Sequence, residues 1–328
     1  MTTAGILAAL PRLSALVVGD ICLDRWCRYD PAEADPSRET GIPRTAVLSV
    51  EITPGAGGTV ANNLAALGVG RVAVLSALGD DGHAAELSRA LGQQGIESDL
   101  CVRTEQIQTF TYTKLINQIT GIEDRPRIDF INVAPIPTEV ERQILDHLQR
   151  AIPTFDVILI ADQAETSHGG VVTAAVRQLL ANLAPNYQDK IFWADSRTRI
   201  AQFRNVILKP NQQEAEAACN GDYAAWRRES GAPLLMVTRG AAGVLVVDEA
   251  GERWVKTKPV EHPVDICGAG DSFSAGAATA LCICRSPDLA AHFGNLVASV
   301  TVMKPGTGTA SPEEVLAAAG ALAGDVRD

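Results

Sequence analysis

The chain has 328 residues, 46% of them hydrophobic, enough to bury a large core in one sizeable α/β domain or in a domain with an appendage. A formal net charge of −11 with no basic run excludes a nucleic-acid surface, and no apolar stretch approaches the length of a membrane span. The seven cysteines form no CxxC pair and no zinc-spaced His/Cys cluster, and Met1 to Leu10 lacks the basic start of a signal peptide, so a reduced cytoplasmic protein is expected.

After a helical preface, Ala15 to Asp24 is a continuous apolar run ending in acids, which reads as a buried parallel strand. Ligands bind beyond the carboxyl ends of such strands, so Asp20 and Asp24 are candidates to hold one; a carboxylate capping the turn is the alternative. Residues 25–54 are too long for a plain loop and too polar for core, which fits a small β flap. A second excursion runs over 109–132, where Phe110, Tyr112, Lys114 and Ile116 alternate with their neighbours and Arg127 to Phe130 can return as a partner strand. Between the flaps, Gly57 and Gly58 open an Ala/Leu/Asn helix that contains Asn63 and stops at Gly68.

The pattern then alternates: strand 72–77, helix 84–94, strand 96–102, and beyond the second flap helix 138–151, strand 157–161, helix 170–183 and strand 190–194. Such alternation implies right-handed βαβ units and a mostly parallel sheet. Polar residues gather at strand ends, at Asp162, at Asp195 and in Lys209 to Glu214. Asn211 and Glu214 share a helical face and suit Mg²⁺ held through water, although an N-capped helix with an acidic first turn accounts for the same pair. Leu234 to Val247 reads as two strands around a glycine turn carrying Thr238, Gly240 and Gly243.

In Val264 to Phe273 a helix begins with almost no side chains in its first turn. Its unpaired amides and the positive end of the helix dipole form an anion site, which Gly268 and Gly270 let a phosphate approach. A carboxylate there repels the phosphate, so Asp271 suits chemistry that removes a proton from an attacking hydroxyl; an ordinary glycine-rich turn capped by Asp265 is the alternative. Helices over 289–303 and 312–323 follow, joined by the loop 304–309.

No Walker A sequence, GxGxxG after the first strand or serine-hydrolase elbow occurs. Instead Asp265-x-x-Gly-Ala-Gly-Asp271, followed by Ala275-Gly276, resembles the C-terminal signature of the PfkB, or ribokinase-like, sugar kinases, and the resemblance covers residues 14 to about 318. It implies a three-layer α/β/α fold with a mostly parallel central sheet and a β lid built from both excursions, a single domain over 1–328, and ATP and Mg²⁺ as cofactors. It also implies Asp271 as the catalytic base with Gly268, Ala269 and Gly270 as the anion hole. Asp24, with Asp20, Gly57, Gly58, Asn63, Lys114 and Asp162, would border the sugar. Asn211, Glu214, Thr238, Gly240, Gly243, Asp265, Asn295 and Gly306 would border the nucleotide, Asn211 and Glu214 with its magnesium. A homodimer through the lid, with no nucleic-acid or membrane partner, follows from the same source.

The family departs here at Thr59, where Asn is usual, and its glycine pair has moved to Gly57-Gly58. Gly19-Asp20-x-x-Leu23-Asp24-Arg25, Pro54-Gly55, Arg127-Ile128-Asp129-Phe130 and Val237-Thr238-Arg239 resemble the heptose 7-phosphate kinase domain, which phosphorylates the anomeric hydroxyl. That implies a sugar phosphate as substrate, for which Arg38, Arg44, Lys114 and Arg197 are candidate cations in an acidic protein. Another sugar, a sugar phosphate or a nucleoside, or a non-catalytic sensor on the same fold, are the alternatives.

Overall fold

The computed structural model describes residues 1–164, 166 and 168–324. Its strands are β1 Ser14–Gly19, β2 Ile21–Tyr29, β3 Val47–Ala56, β4 Arg71–Leu75, β5 Ala77–Gly79, β6 Val102–Thr104, β7 Thr111–Asn117, β8 Ile128–Phe130, β9 Val157–Asp162, β10 Ile191–Ser196, β11 Ile207–Leu208, β12 Leu235–Thr238, β13 Val244–Asp248 and β14 Gly251–Val255. Its helices are α1 Thr3–Ala9, α2 Gly57–Ala66, α3 Gly82–Gln93, α4 Thr138–Ala151, α5 Ala174–Leu183, α6 Gln212–Cys219, α7 Tyr223–Ser230, α8 Ala269–Cys284, α9 Pro287–Thr301 and α10 Pro312–Gly324.

The central sheet is eight-stranded, in the order β14-β13-β12-β11-β10-β9-β1-β4, and is parallel from β12 to β4. Successive side chains of a strand point to opposite faces, so the apolar runs feed two cores. Val17, Leu159, Trp193 and Met236 face α2, α8 and α9 through Leu64, Phe273 and Phe293. Leu16, Ile158, Phe192 and Val237 face α4, α5 and α7 through Ile144, Leu180 and Trp226. Helices therefore cover both faces, the three-layer α/β/α arrangement.

A second sheet, β3-β2-β7-β8, stands at the carboxyl end of β1. The apolar run Ala15 to Asp24 is not one strand: it breaks at Gly19, with φ 141, where a Cβ would lie 2.1 Å from the Ala161 carbonyl oxygen. β1 stays in the central sheet and β2 turns into the second one, a break that an unbroken hydrophobic pattern hides. The strand read over 96–102 is also corrected, because only a bridge between Ala73 and Glu97 forms there and β6 starts at Val102. The helix read from residue 170 begins at Ala174, capped by the Thr173 side chain on the Val176 amide.

Candidate active site

Parallel strands deliver their carboxyl ends to one edge, where β10, β11 and β12 bring Asp195, Lys209 and Thr238 beside the N-terminus of α8. Gly268 caps α8 in the left-handed region, φ 77, with no side-chain cap, and a Cβ there would come to 3.2 Å of Thr59 Cγ2 and 3.3 Å of Thr307 Cγ2. The Ala269 N–H is closed on the Ile266 carbonyl at 3.2 Å. Among the described residues no backbone acceptor serves the amides of Gly268, Gly270 and Asp271, so Gly268 and Gly270 keep their expected donors and Asp271 N–H stands in for that of Ala269. Asp265 fixes the turn, its carboxylate accepting from Cys267 N at 2.9 Å and Gly306 N at 3.1 Å, which ties it to the loop before α10.

Asp271 is partly buried in the first turn of α8. Burial pushes its carboxyl up to about 7, Asp195 and Asp24 act in the same direction, and Lys209 and Arg197 oppose them. A carboxylate that titrates near neutrality can accept a proton from a hydroxyl and later release it.

On one side of Asp271 lies a cleft of about 630 Å³, bordered by Lys209, Asn211, Thr238, Gly243, Gly270 and Asn295 among others. Asn211 and Glu214 form a capping box at α6: Glu214 N donates to Asn211 Oδ1 at 2.9 Å, and Asn211 N to Glu214 Oε2 at 2.7 Å. Burial raises the Glu214 carboxyl, with Asp195 adding to the effect and Lys209 and Arg197 countering it. Gly243, φ 97, is required, since a Cβ there would meet the Val255 carbonyl oxygen at 2.3 Å. Asn295 Nδ2 is buried without a hydrogen-bond partner at the cleft wall, a donor that suits a heteroaromatic ring nitrogen or carbonyl.

On the other side stands the second sheet. Thr53, Asp24, Tyr112 and Asp129 lie in one row across β3, β2, β7 and β8. Burial raises the Asp24 carboxyl, while a hydrogen bond from the Cys22 thiol and the charges of Lys114, Arg127 and Arg197 hold it down. Gly55 lies directly against it: a Cβ would fall 2.4 Å from Asp24 Cγ and 2.5 Å from both oxygens. The Arg127 guanidinium stacks 4.4 Å above the Tyr112 ring and pairs with Asp129 at 2.8 Å, and Lys114 Nζ lies 5.8 Å over the Trp26 ring. Two cations therefore flank Asp24 on the same face.

Other expected sugar-side residues are placed elsewhere. Asp20 is 6% exposed and its oxygens accept from Val171 N at 2.7 Å and Gln163 N at 2.9 Å, so it pins the loop after β9. Asp162 is 1% exposed and bonded to Arg199 and to Ser196 Oγ, which makes it half of a buried ion pair. Asn63 is fully buried, donating to the Thr59 carbonyl within its own helix at 2.9 Å. Gly57 and Gly58 are glycines for packing, their missing Cβ atoms standing 2.7 Å from Ile21 Cδ1 and 2.6 Å from Pro54 Cβ. Arg44 donates to the Asp35 carbonyl at 3.0 Å on the exposed segment before β3, and Arg38 is exposed on that segment too. Gly55, Lys209, Arg127 and Arg199 are not among the site residues expected from the sequence; Gly55, Lys209 and Arg127 lie within motifs that the sequence does present, whereas Arg199 lies in none.

The sheet order, the glycine-rich helix start with its acid, and the cleft beside it define a phosphoryl-transfer enzyme of ribokinase-like fold. The family model described as "pfkB family carbohydrate kinase" matches residues 16–314, and the chain belongs to that family of carbohydrate kinases. Among curated proteins it is 30% identical over 323 residues to the bifunctional protein HldE of Trichlorobacter lovleyi, covering 93% of this chain and 62% of the relative. It is likewise 30% identical over 327 residues to the HldE of Hyphomonas neptunium, covering 96% and 65%. The chain thus spans less than two thirds of the length of these relatives. Its fold is similar to a ribokinase from Thermotoga maritima, with TM-score 0.66 and 22% identity over 94% of this chain and 99% of that one. It is also similar to phosphofructokinase-2 from Escherichia coli, with TM-score 0.71 and 18% identity over 95% and 99%. Among the described residues no helix is long and apolar enough to cross a membrane.

Proposed function

We propose that this sugar kinase transfers the γ-phosphoryl group of ATP to a hydroxyl of a sugar that already carries a phosphate, a heptose 7-phosphate being the specific candidate. Asp24 grips the sugar from the second sheet, and Asp271 takes the proton of the attacking hydroxyl. The amides of Gly268, Gly270 and Asp271 face the transferring phosphoryl group, where fixed donors stabilise developing charge without reorganising. The observation that carries this reading is the position of Asp271: a carboxylate poised near neutrality at a helix N-terminus, between a nucleotide-sized cleft and Asp24.

For the nucleotide, the unpartnered Asn295 amide and the open wall made by Gly240 and Gly243 fit a base and its phosphates. The capping box leaves Glu214 Oε1 to hold a magnesium ion through water; when bound, that ion would neutralise charge on the phosphate oxygens. For a phosphorylated sugar, Arg127 and Lys114 supply the local cations that a protein of net charge −11 needs. The heptose reading is supported by the sequence resemblance and by the relatives named HldE.

Assembly through the second sheet and a cytoplasmic setting belong to the same proposal; Val47, Leu48, Val50 and Ile128 of that sheet are 42%, 56%, 43% and 52% exposed, an apolar surface suited to a second copy. The test is a panel of sugars and sugar phosphates scored by ATP consumption. Highest turnover on a heptose 7-phosphate is expected, and equal turnover on the unphosphorylated heptose would remove that substrate while leaving the kinase.

A further inference from the structure

Beneath the turn that carries Asp271 lies an ion pair that the proposed mechanism leaves unused. Lys209, 4% exposed, places Nζ 2.5 Å from Asp195 Oδ2. Its backbone N–H donates to the Ala194 carbonyl at 2.9 Å, so the pairing of β10 with β11 sets where its stem departs. Asp195 also accepts from Ser274 Oγ on α8 at 3.4 Å. The ammonium then reaches the catalytic turn itself, since a Cβ on Gly270, next to Asp271, would stand 3.2 Å from Nζ. One buried cation thus serves two carboxylates, Asp195 by direct contact and Asp271 through its field.

Either of two changes to these three charges would spoil Asp271 as a base. If Lys209 paired with Asp271, the carboxylate would be a weak base, because an opposite charge in contact favours the ionised form. If Lys209 were absent, two carboxylates would face each other and Asp271 would hold its proton too tightly. We infer that Asp195 is a positioning residue for the reaction: as counter-ion to Lys209 it keeps the ammonium off Asp271, and the pair together holds Asp271 basic yet ionisable. This rests on the reading of Asp271 as the base. The charged and titratable groups facing Asp271 are Asp195 and Lys209 from the strand ends, Arg197 from the loop after β10, Asp24 across the cleft and Cys267 on its own turn, while Glu214 acts on Lys209.

The test is the pH dependence of kcat/KM, followed by ATP consumption, in the wild type, Asp195→Asn and Lys209→Met. Asp195→Asn frees the ammonium for Asp271, so its acid limb moves to lower pH by about one unit and the plateau rate falls. Lys209→Met moves the limb to higher pH by about one unit. Limbs that stay in place, or move in the same direction, overturn the inference. Folding gives an independent reading. Because Lys209 acquires Asp271 as a partner in Asp195→Asn, that variant should fold and melt well above the Asp195→Asn/Asp271→Asn double variant, in which the buried ammonium is stranded. Equal melting, or failure of Asp195→Asn to fold, contradicts the inference. If Asp271→Asn keeps the wild-type rate, the base assignment itself fails; if it is inactive while the limbs stay in place, only the role of the pair fails.

Discussion

Adding one methyl group at Gly55 tests whether Asp24 holds the sugar. The new Cβ would stand 2.4 Å from the Asp24 carboxyl carbon and 2.5 Å from both oxygens. Ordinary van der Waals contact begins roughly 1 Å further out, so in a packed interior the carboxylate has to move by about that distance. Gly55 lies outside the left-handed region, so Ala brings no backbone strain of its own and the effect is confined to the contact. A shift of that size breaks one or two hydrogen bonds to sugar hydroxyls, each worth about 1.5–3 kcal/mol when one partner is charged. Gly55→Ala should therefore raise the KM for sugar by roughly 10- to 100-fold or more. The nucleotide cleft does not include Gly55, so calorimetry should find ATP affinity unchanged. Unaltered sugar KM in a folded Gly55→Ala variant would show that Asp24 makes no contact that matters, and an equal loss of ATP affinity would show that the division of the cleft is wrong.

With the Asp271 carboxyl pushed up to about 7, the base is protonated and idle at lower pH, so kcat/KM should rise about tenfold per unit towards neutrality and then level off; a profile flat from about pH 5.5 to 8.5 would exclude Asp271 as the titrating base. Ala56, at φ 52 and ψ −122, stands where glycine is at ease, so Ala56→Gly should stabilise the fold by about 1 kcal/mol, raising the melting temperature on the order of 2 °C. A lowered melting temperature would contradict this. Arg127→Ala should lower turnover on a sugar phosphate while sparing the unphosphorylated sugar, whereas Arg44→Ala, anchored on the Asp35 carbonyl, should leave the preference intact. The reverse ranking, measured by ATP consumption, would return the phosphate contact to Arg44.

What could be read in the sequence was local. The α8 start announces itself because Gly268, Gly270 and Asp271 fall within one turn, and helix-terminal chemistry needs no distant partner. The alternation of strands and helices likewise implies a mostly parallel sheet, since each apolar run carries its own period, but not the break at Gly19 or the absence of a strand over 96–101. Tertiary pairings left no such trace. Gly55 matters only because β2 and β3 place it opposite Cys22, beside the carboxylate of Asp24, and Lys209 only because β10 and β11 are neighbours. Asn63 lies on the expected helix, but α2 is buried on every side from Gly57 to Leu64, an enclosure by the rest of the fold that a helix pattern does not show. Asp20 and Asp24 read alike as strand-end acids, yet the break at Gly19 sends one into the loop after β9 and the other to the second sheet.

Removal of the proton from a sugar hydroxyl by Asp271, as that hydroxyl attacks ATP, is tested most directly by sugar-dependent ADP formation in Asp271→Asn, measured alongside ATP affinity by calorimetry. A positioned base contributes roughly 10²- to 10⁴-fold, so kcat should fall by about that factor with ATP binding near the wild-type value. A folded Asp271→Asn variant that turns over at the wild-type rate would contradict it.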